Sequence, residues 1–416
     1  MKKTLFLTLI SATYLLSAQN PAIEWRNDRT GIFNETNLLK SWPENGPELL
    51  WHFDGLGDGW TSITISNGKI YATGLDEEKL NLFVLDLNGK LLTKKHVGNE
   101  LTGNRFHGAR SQVNISEGKL YIYTALGELF CLDENTLNPI WTKDLFSEFG
   151  GRQVMWGVTE TPLIVGDKIF ITPGGPTHNM MALNKNTGAT IWSTEGTGLQ
   201  SSYCSPLFVG GYAVPMVVTW AGALPGGGRG APQNNQLVAY HSETGELLWS
   251  HVIPSENNIN PNTPIYSDGK IFVTTGYRGG SRLLRLTNGG RAVEELWKND
   301  ADNQMGGAVK VDNYVYTSGH QNRAYYCMDW NTGEYKWREA MFPQSPTIFA
   351  DGMLYVYAER GTMNLIRPTP EKFDLVSSFE VTLGTDQHWA HPVIYNGVLY
   401  IRHGNTLMAY SVRANQ

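Results

Sequence analysis

Short runs of alternating apolar and polar residues recur along this chain, each introduced by a tight-turn dipeptide. Ile70-Tyr-Ala-Thr73, Leu120-Tyr-Ile-Tyr123, Ile169-Phe-Ile-Thr172, Ile271-Phe-Val-Thr274, Leu354-Tyr-Val-Tyr357 and Leu399-Tyr-Ile-Arg402 are rich in β-branched and aromatic residues, as strands are. Before them stand Ser66-Asn-Gly-Lys69, Ser116-Glu-Gly-Lys119, Val165-Gly-Asp-Lys168, Ser267-Asp-Gly-Lys270, Ala350-Asp-Gly-Met353 and Tyr395-Asn-Gly-Val398. Asn-Gly and Asp-Gly between alternating runs predict hairpins, because these residues accept positive φ at low cost.

A second pattern fixes the register of the first. Cys131 to Trp141, Ala182 to Trp192, Ala239 to Trp249 and Cys327 to Trp337 share a small residue, a Thr five before the Trp and, in three of the segments, a Gly four before it. Self-similarity at a period of roughly 40–50 residues indicates an array or a propeller. Each unit reads as a four-stranded antiparallel meander, and with Gly210-Gly211 and Asp312-Asn313 taken as the two remaining first turns the chain holds about eight units.

The last unit, from His388 to about Val412, supplies only three strands. Pro47-Glu-Leu-Leu-Trp51 has the strand-plus-Trp ending without its three predecessors, and such a strand would close the ring and remove its open edges. The expectation is an all-β, eight-bladed β-propeller over 47–416. Trp141, Trp192, Trp249, Trp297 and Trp337 are expected to wedge between blades as core.

With 41% hydrophobic residues and 13 Trp among 416 residues, the chain can build a large core. A net charge of −6 gives no electrostatic footprint for nucleic acid. Met1-Lys-Lys, the apolar run Thr4 to Leu16 and Ser17-Ala18 read as a signal peptide over 1–18; periplasmic or secreted residence is expected, with no transmembrane span, and 19–46 is an N-terminal extension. Of the three cysteines, Cys131 and Cys327 fill the slot that Ala182 and Ala239 occupy in sister units, so they read as packing residues.

The Ala-x-Asp-x-x-Thr-Gly-x-x-x-Trp pattern resembles the tryptophan-docking repeat of the PQQ-like propeller superfamily. That group includes the quinoprotein alcohol dehydrogenases and the propeller lipoprotein of the outer-membrane protein assembly machinery. Trp25-Arg-Asn-Asp-Arg-Thr-Gly31, Leu38-Leu-Lys-Ser-Trp-Pro43, Trp156-Gly-Val-Thr-Glu-Thr-Pro162 and Trp389-Ala-His-Pro392 are similar to a bacterial family of exported PQQ-binding-like propellers. The resemblance spans almost all of 19–416. It implies the fold; the cofactor stays unknown, because PQQ is supported by the family name alone.

Chemistry is expected on the face carrying the loops between second and third strands and between blades. Arg105, Arg110, Arg152, Arg229, Arg278, Arg323 and Arg360 fall there with His107, His178, His320 and His388, whereas Lys69, Lys119, Lys168, Lys185 and Lys270 fall on the tight-turn face. Arg presents a planar fork suited to carboxylates and phosphates. The inner strands share Pro162, Pro206, Pro264, Pro346 and Pro392; one and two residues before them the units diverge, singling out Glu160, Asn262, Gln344 and His391 as channel candidates. Trp156 joins them as a ligand-binding candidate.

Glu160 is a candidate general base near Arg110 or His107, its pKa raised by burial. His388 and His391, three apart on a strand, are expected to face opposite ways, and no metal site is expected; Asp54-Gly-Leu-Gly-Asp58 is too sparse for calcium. The insert Leu224 to Pro232 lacks the ending of a phosphate loop and reads as a plain flexible loop or as a flap over the ligand face with Arg229 near a ligand.

The functional expectation is an exported binding module for a small-molecule or saccharide ligand, anionic or polyhydroxylated, or for a protein partner. The alternatives are a quinoprotein-like dehydrogenase and a carbohydrate-active, lyase-like enzyme. Against the dehydrogenase stand the lack of an adjacent Cys pair and of a Cys-x-x-Cys-His motif.

Overall fold

The computed structural model describes residues 22–414 apart from 104, 197, 223–232, 306 and 341–343. The signal-peptide reading of 1–18 and the flap with Arg229 lie outside the described residues. The alternating runs form antiparallel strands gathered into eight four-stranded blades around a ring. Blades 1 to 7 span 64–99, 114–144, 163–193, 207–255, 265–299, 309–339 and 347–380, and blade 8 spans 393–411. Its fourth strand is Glu48–Phe53, antiparallel to Thr406–Ser411, so the ring closes as expected.

The first turns have the predicted chemistry. Asn67 and Gly68, Glu117 and Gly118, Asp268 and Gly269, Asp351 and Gly352, and Asn396 and Gly397 all take positive φ, the I′ hairpin geometry whose twist matches the flanking strands.

The repeated Thr-Gly and Trp prove to be two halves of one joint between neighbours. The Trp141 indole donates from Nε1 to the Lys185 carbonyl of blade 3 at 3.0 Å, and Trp192 does the same to Ser242 of blade 4 at 3.0 Å. Trp297 reaches Trp330 of blade 6 at 3.0 Å, and Trp51 reaches Leu87 of blade 1 at 3.0 Å. Each of these rings lies on a glycine of the blade it reaches. A Cβ on Gly188 would stand 2.9 Å from Trp141, and one on Gly245 would stand 2.6 Å from Trp192. The small slot has its reason too: Cys131, Ala182, Ala239 and Cys327 lie directly across the strand pair from their docking Trp. Trp249 is buried in the core as well, but its Nε1 has no hydrogen-bond partner.

The N-terminal extension folds into the central channel. Ile65 and Ile115, on the inner strands of blades 1 and 2, donate their amides to the Ala22 and Ile23 carbonyls. Four successive residues, Arg26, Asn27, Asp28 and Arg29, then take φ of 52°, 46°, 54° and 65°. A left-handed conformation costs an L-residue about 1–2 kcal/mol, so this turn persists only because its surroundings hold it. Beyond it Ile32–Phe33 runs parallel to Thr347–Ala350, the inner strand of blade 7. Glu35 then accepts the Asn396 and Gly397 amides at the tight turn of blade 8. The segment therefore enters and leaves on the tight-turn face.

Two arginines of this turn reach opposite walls. Arg29 donates to the carbonyls of Thr161 at 3.2 Å and Pro162 at 2.8 Å, at the start of blade 3. Arg26 donates to those of Ala308 at 2.9 Å and Thr347 at 3.1 Å, on blades 6 and 7. Blades 3 and 7 face each other across an eight-membered ring, so the pair braces the channel across its width.

Candidate functional site

Above this brace, on the long-loop face, the channel opens into a pocket of about 350 Å³. Its wall is set by strand alternation. Residues three before the inner-strand Pro, or before its equivalent, point to the axis: Trp60, Arg110, Thr159, Tyr203, Pro261, Met305 and Trp389 all line the pocket. The next residue inward along the same face adds Ser205 and His391.

The lining has two unlike halves. From blade 8 through blade 3, aromatic rings run in contact: Trp60 and Trp389 have centroids 5.2 Å apart, Trp389 and Phe106 5.2 Å, and Phe106 and Trp156 5.4 Å. The rest of the lining is mixed: Ile259, Pro261, Tyr277, Gln304, Met305 and Gln344, with Glu359 beside Trp389. Trp25, from the turn in the channel, also lines the pocket, its ring meeting His391 edge-on at 5.3 Å.

The polar groups are few and well placed. Arg110 lies over the Trp60 ring at 5.0 Å and also donates to the Phe106 carbonyl. Burial lowers its pKa to about 10, with Glu100 opposing. Glu359 accepts the Trp389 indole N–H at 3.0 Å, and Gln304 donates to the Tyr277 hydroxyl at 3.1 Å. Burial, helped by Arg26, holds His391 well below the usual imidazole value; its Nδ1 has no hydrogen-bond partner.

The candidates from sequence separate into three groups. Arg110, Trp156, Gln344 and His391 line the pocket. Arg105, His107 and Arg278 sit on exposed ground around it: Arg105 over Phe106, His107 at 3.1 Å from Asp58, and Arg278 paired with Glu256 at 2.7 Å. His320 lies behind Tyr277, whose amide donates to its Nδ1 at 3.1 Å. His388 faces away from His391, stacked on His403 at 3.6 Å, and burial lowers its pKa to about 4.

Glu160 and Asn262 correct the sequence reading. Both stand two before the Pro and are turned into the wall, off the lining, whereas Gln344 at the same place before Pro346 is on it. Glu160 is buried against Thr172, whose amide donates to both carboxylate oxygens at 3.2 Å and whose hydroxyl also donates. Burial raises its pKa to about 8, and Arg29, not Arg110 or His107, is the cation that opposes this. Asn262 ties blade 5 to blade 6, donating to the carbonyls of Thr274 at 3.3 Å and Asn303 at 2.6 Å. Sequence reasoning missed Trp25, Trp60, Tyr203, Glu359 and Trp389 as pocket residues.

The set was tested against the quinone cofactor that gives the superfamily its name. PQQ carries three carboxylates, which call for several cations, whereas among the described residues Arg110 is the one Lys or Arg on this lining and Glu359 faces the same space. The residues do not fit that group. Among the described residues no cluster of three or more His, Cys, Asp or Glu could hold a metal, and no helix is long and apolar enough to cross a membrane.

Fold and docking joints together define a tryptophan-docked, eight-bladed propeller with an aromatic axial pocket. The family model for the outer membrane protein assembly factor BamB matches residues 48–214. The chain is 25% identical over 234 residues, 55% of its length and 35% of the relative's, to the quinoprotein alcohol dehydrogenase PedH of Pseudomonas putida. It is 23% identical over 282 residues to the tetrathionate hydrolase of Acidithiobacillus ferrooxidans, covering 64% of this chain and 50% of that one. The chain thus spans half or less of the length of these curated relatives. BamB of Moraxella catarrhalis superposes with a TM-score of 0.63 at 14% identity, over 88% of this chain and 99% of that one. A europium-containing methanol dehydrogenase superposes at 0.64 and 12%, over 92% and 90%. These likenesses support a PQQ-like β-propeller, matched by the family model over residues 48–214.

Proposed function

We propose that this chain is an exported binding module whose axial pocket seats a polyhydroxylated ligand, a saccharide. One observation carries the reading: the pocket has a wall of contacting aromatic rings, Trp60, Trp389, Phe106 and Trp156, and a second set of polar groups, the amides of Gln304 and Gln344 and the Glu359 carboxylate bonded to the Trp389 indole. A sugar ring has an apolar C–H face and a rim of hydroxyls, so it can stack on the first wall and hydrogen-bond to the second. Arg110 suits one carboxylate, which admits an acidic sugar and disfavours a polyanion. The test is a printed array of natural oligosaccharides probed with the whole chain and with Trp389→Ala. Selective binding lost in the variant supports the reading; a blank array contradicts it.

A second reading, a lyase-like enzyme on the same ligand, is favoured by His391. His391 is a neutral imidazole on the pocket wall, so a ring nitrogen has a lone pair for a ligand proton, although its lowered pKa makes it a weak base. If glycans bound by the wild type are cleaved, His391→Gln should abolish cleavage and keep binding. Similarity to BamB supports protein interaction as a third use of the same surface, tested by whether the loops around the pocket capture a protein when the array is blank.

A further inference from the structure

A propeller has an axial channel, and here the N-terminal turn lies within it, bonded to facing walls. We infer that residues 22–33 form the floor of the binding pocket, with Trp25 a specificity-determining residue and Arg29 a positioning residue, so that the pocket takes the terminal unit of a glycan inserted end-on from the long-loop face. This rests on the saccharide reading above.

Three observations converge. Trp25 is on the lining although it belongs to no blade, and it meets His391 of blade 8 edge-on. Directly after it come the left-handed residues Arg26 to Arg29, and strain of this kind is retained where surrounding contacts hold it in place. Here the strained turn aims the two arginines at carbonyls on facing walls and leaves Trp25 presented toward the pocket. Arg26 and Arg29 are both buried, and the Arg26 Nε and the Arg29 Nε and Nη1 have no partner. A floor that needs only mechanical closure has no use for two desolvated guanidiniums, whereas a floor of fixed height does.

A closed base has a consequence for ligand class. A glycan cannot thread the channel, so the unit stacked among Trp60, Trp389 and Trp25 is a chain end. Removing the Trp25 ring lowers the floor by about one ring thickness, deepening the site without touching the aromatic wall. Selection among terminal units should then change, which a merely structural role for Trp25 would not produce.

The experiment uses the whole chain on the oligosaccharide array, with Trp25→Ala, Trp25→Phe and Arg29→Ala beside the wild type, and hydrogen exchange on 22–33. The expected result is slow exchange of the Arg29 and Gly31 amides in the wild type. Trimming one terminal unit from the bound glycans should weaken wild-type binding at least about tenfold. Trp25→Ala should reorder the bound glycans and Trp25→Phe should keep their order; Arg29→Ala should speed exchange and weaken binding without contacting ligand. If wild type binds and Trp25→Ala binds the same glycans in the same order, the inference is overturned while the saccharide reading stands. Retained binding after trimming, or fast exchange of 22–33 in the wild type, overturns it equally. A blank wild-type array overturns the saccharide reading, and the specificity role with it.

Discussion

The rings of Trp25 and His391 meet edge-on with centroids 5.3 Å apart, and the two residues come from opposite ends of the chain. One belongs to the segment folded into the channel, the other to the inner wall of blade 8. Their contact joins the extension to the pocket, so the stability of one bears on the geometry of the other.

Arg29→Ala should cost about 2–4 kcal/mol, because it removes two hydrogen bonds and leaves two buried carbonyls without their donor. Urea unfolding followed by tryptophan fluorescence checks it. An unchanged midpoint would mean that the brace across the channel contributes nothing.

Asp28→Gly should stabilise the chain by about 1 kcal/mol, since Asp28 is exposed at φ 54° and glycine relieves the left-handed penalty. The same substitution at a right-handed position would destabilise. A rise in Tm measured by calorimetry is the expected sign, and a fall would contradict the strained turn.

Glu160 predicts a pH dependence with a definite direction. Its carboxyl is raised from 4.5 to about 8 in the folded state, so below about 4.5 both states are protonated and no penalty exists. As pH rises from there to about 8, the unfolded chain ionises first and the folded state loses relative stability. Glu160→Gln removes this term, so its stability should gain on the wild type across that window and then level off. Glu100, raised to about 7 by burial, acts alike in both proteins and cancels in the comparison. Denaturant titrations at pH 4.5, 6 and 8 read the difference; a gap that does not change with pH contradicts the buried, protonated carboxyl.

Gly188→Ala should destabilise by about 1–3 kcal/mol, because φ is +69° and the added Cβ would press on the docked Trp141 ring. Gly166→Ala tests the other half of the reasoning. It also has positive φ, at +56°, but no neighbour within 4 Å, so it should cost only the conformational term. Equal losses in thermal unfolding would show that docking plays no part.

The fold could be read from sequence because its two determinants are local and repeat: a dipeptide that accepts positive φ, and a Thr-Gly to Trp spacing that marks each outer strand. Even the closing strand was legible, since Pro47 to Trp51 carries a docking residue without its own blade. The site was harder to see. Divergence between units pointed to the inner strands and found Gln344, but Glu160 and Asn262 stand one residue from the lining, where strand alternation turns the side chain from the axis into the wall. Moving one position back to Trp60, Arg110, Tyr203 and Trp389 recovers the pocket. Trp25 lay beyond any such signal, for the extension repeats nothing and its place depends on contacts with blades far away in sequence.

The most direct test of the account is isothermal titration of the whole chain with an oligosaccharide chosen from the array, set against Trp389→Ala. If the aromatic wall carries the binding, the variant should lose about 2 kcal/mol, roughly thirtyfold in Kd, while thermal unfolding and the docking tryptophans stay as in the wild type. A folded Trp389→Ala protein that binds the same oligosaccharide with unchanged affinity would contradict it.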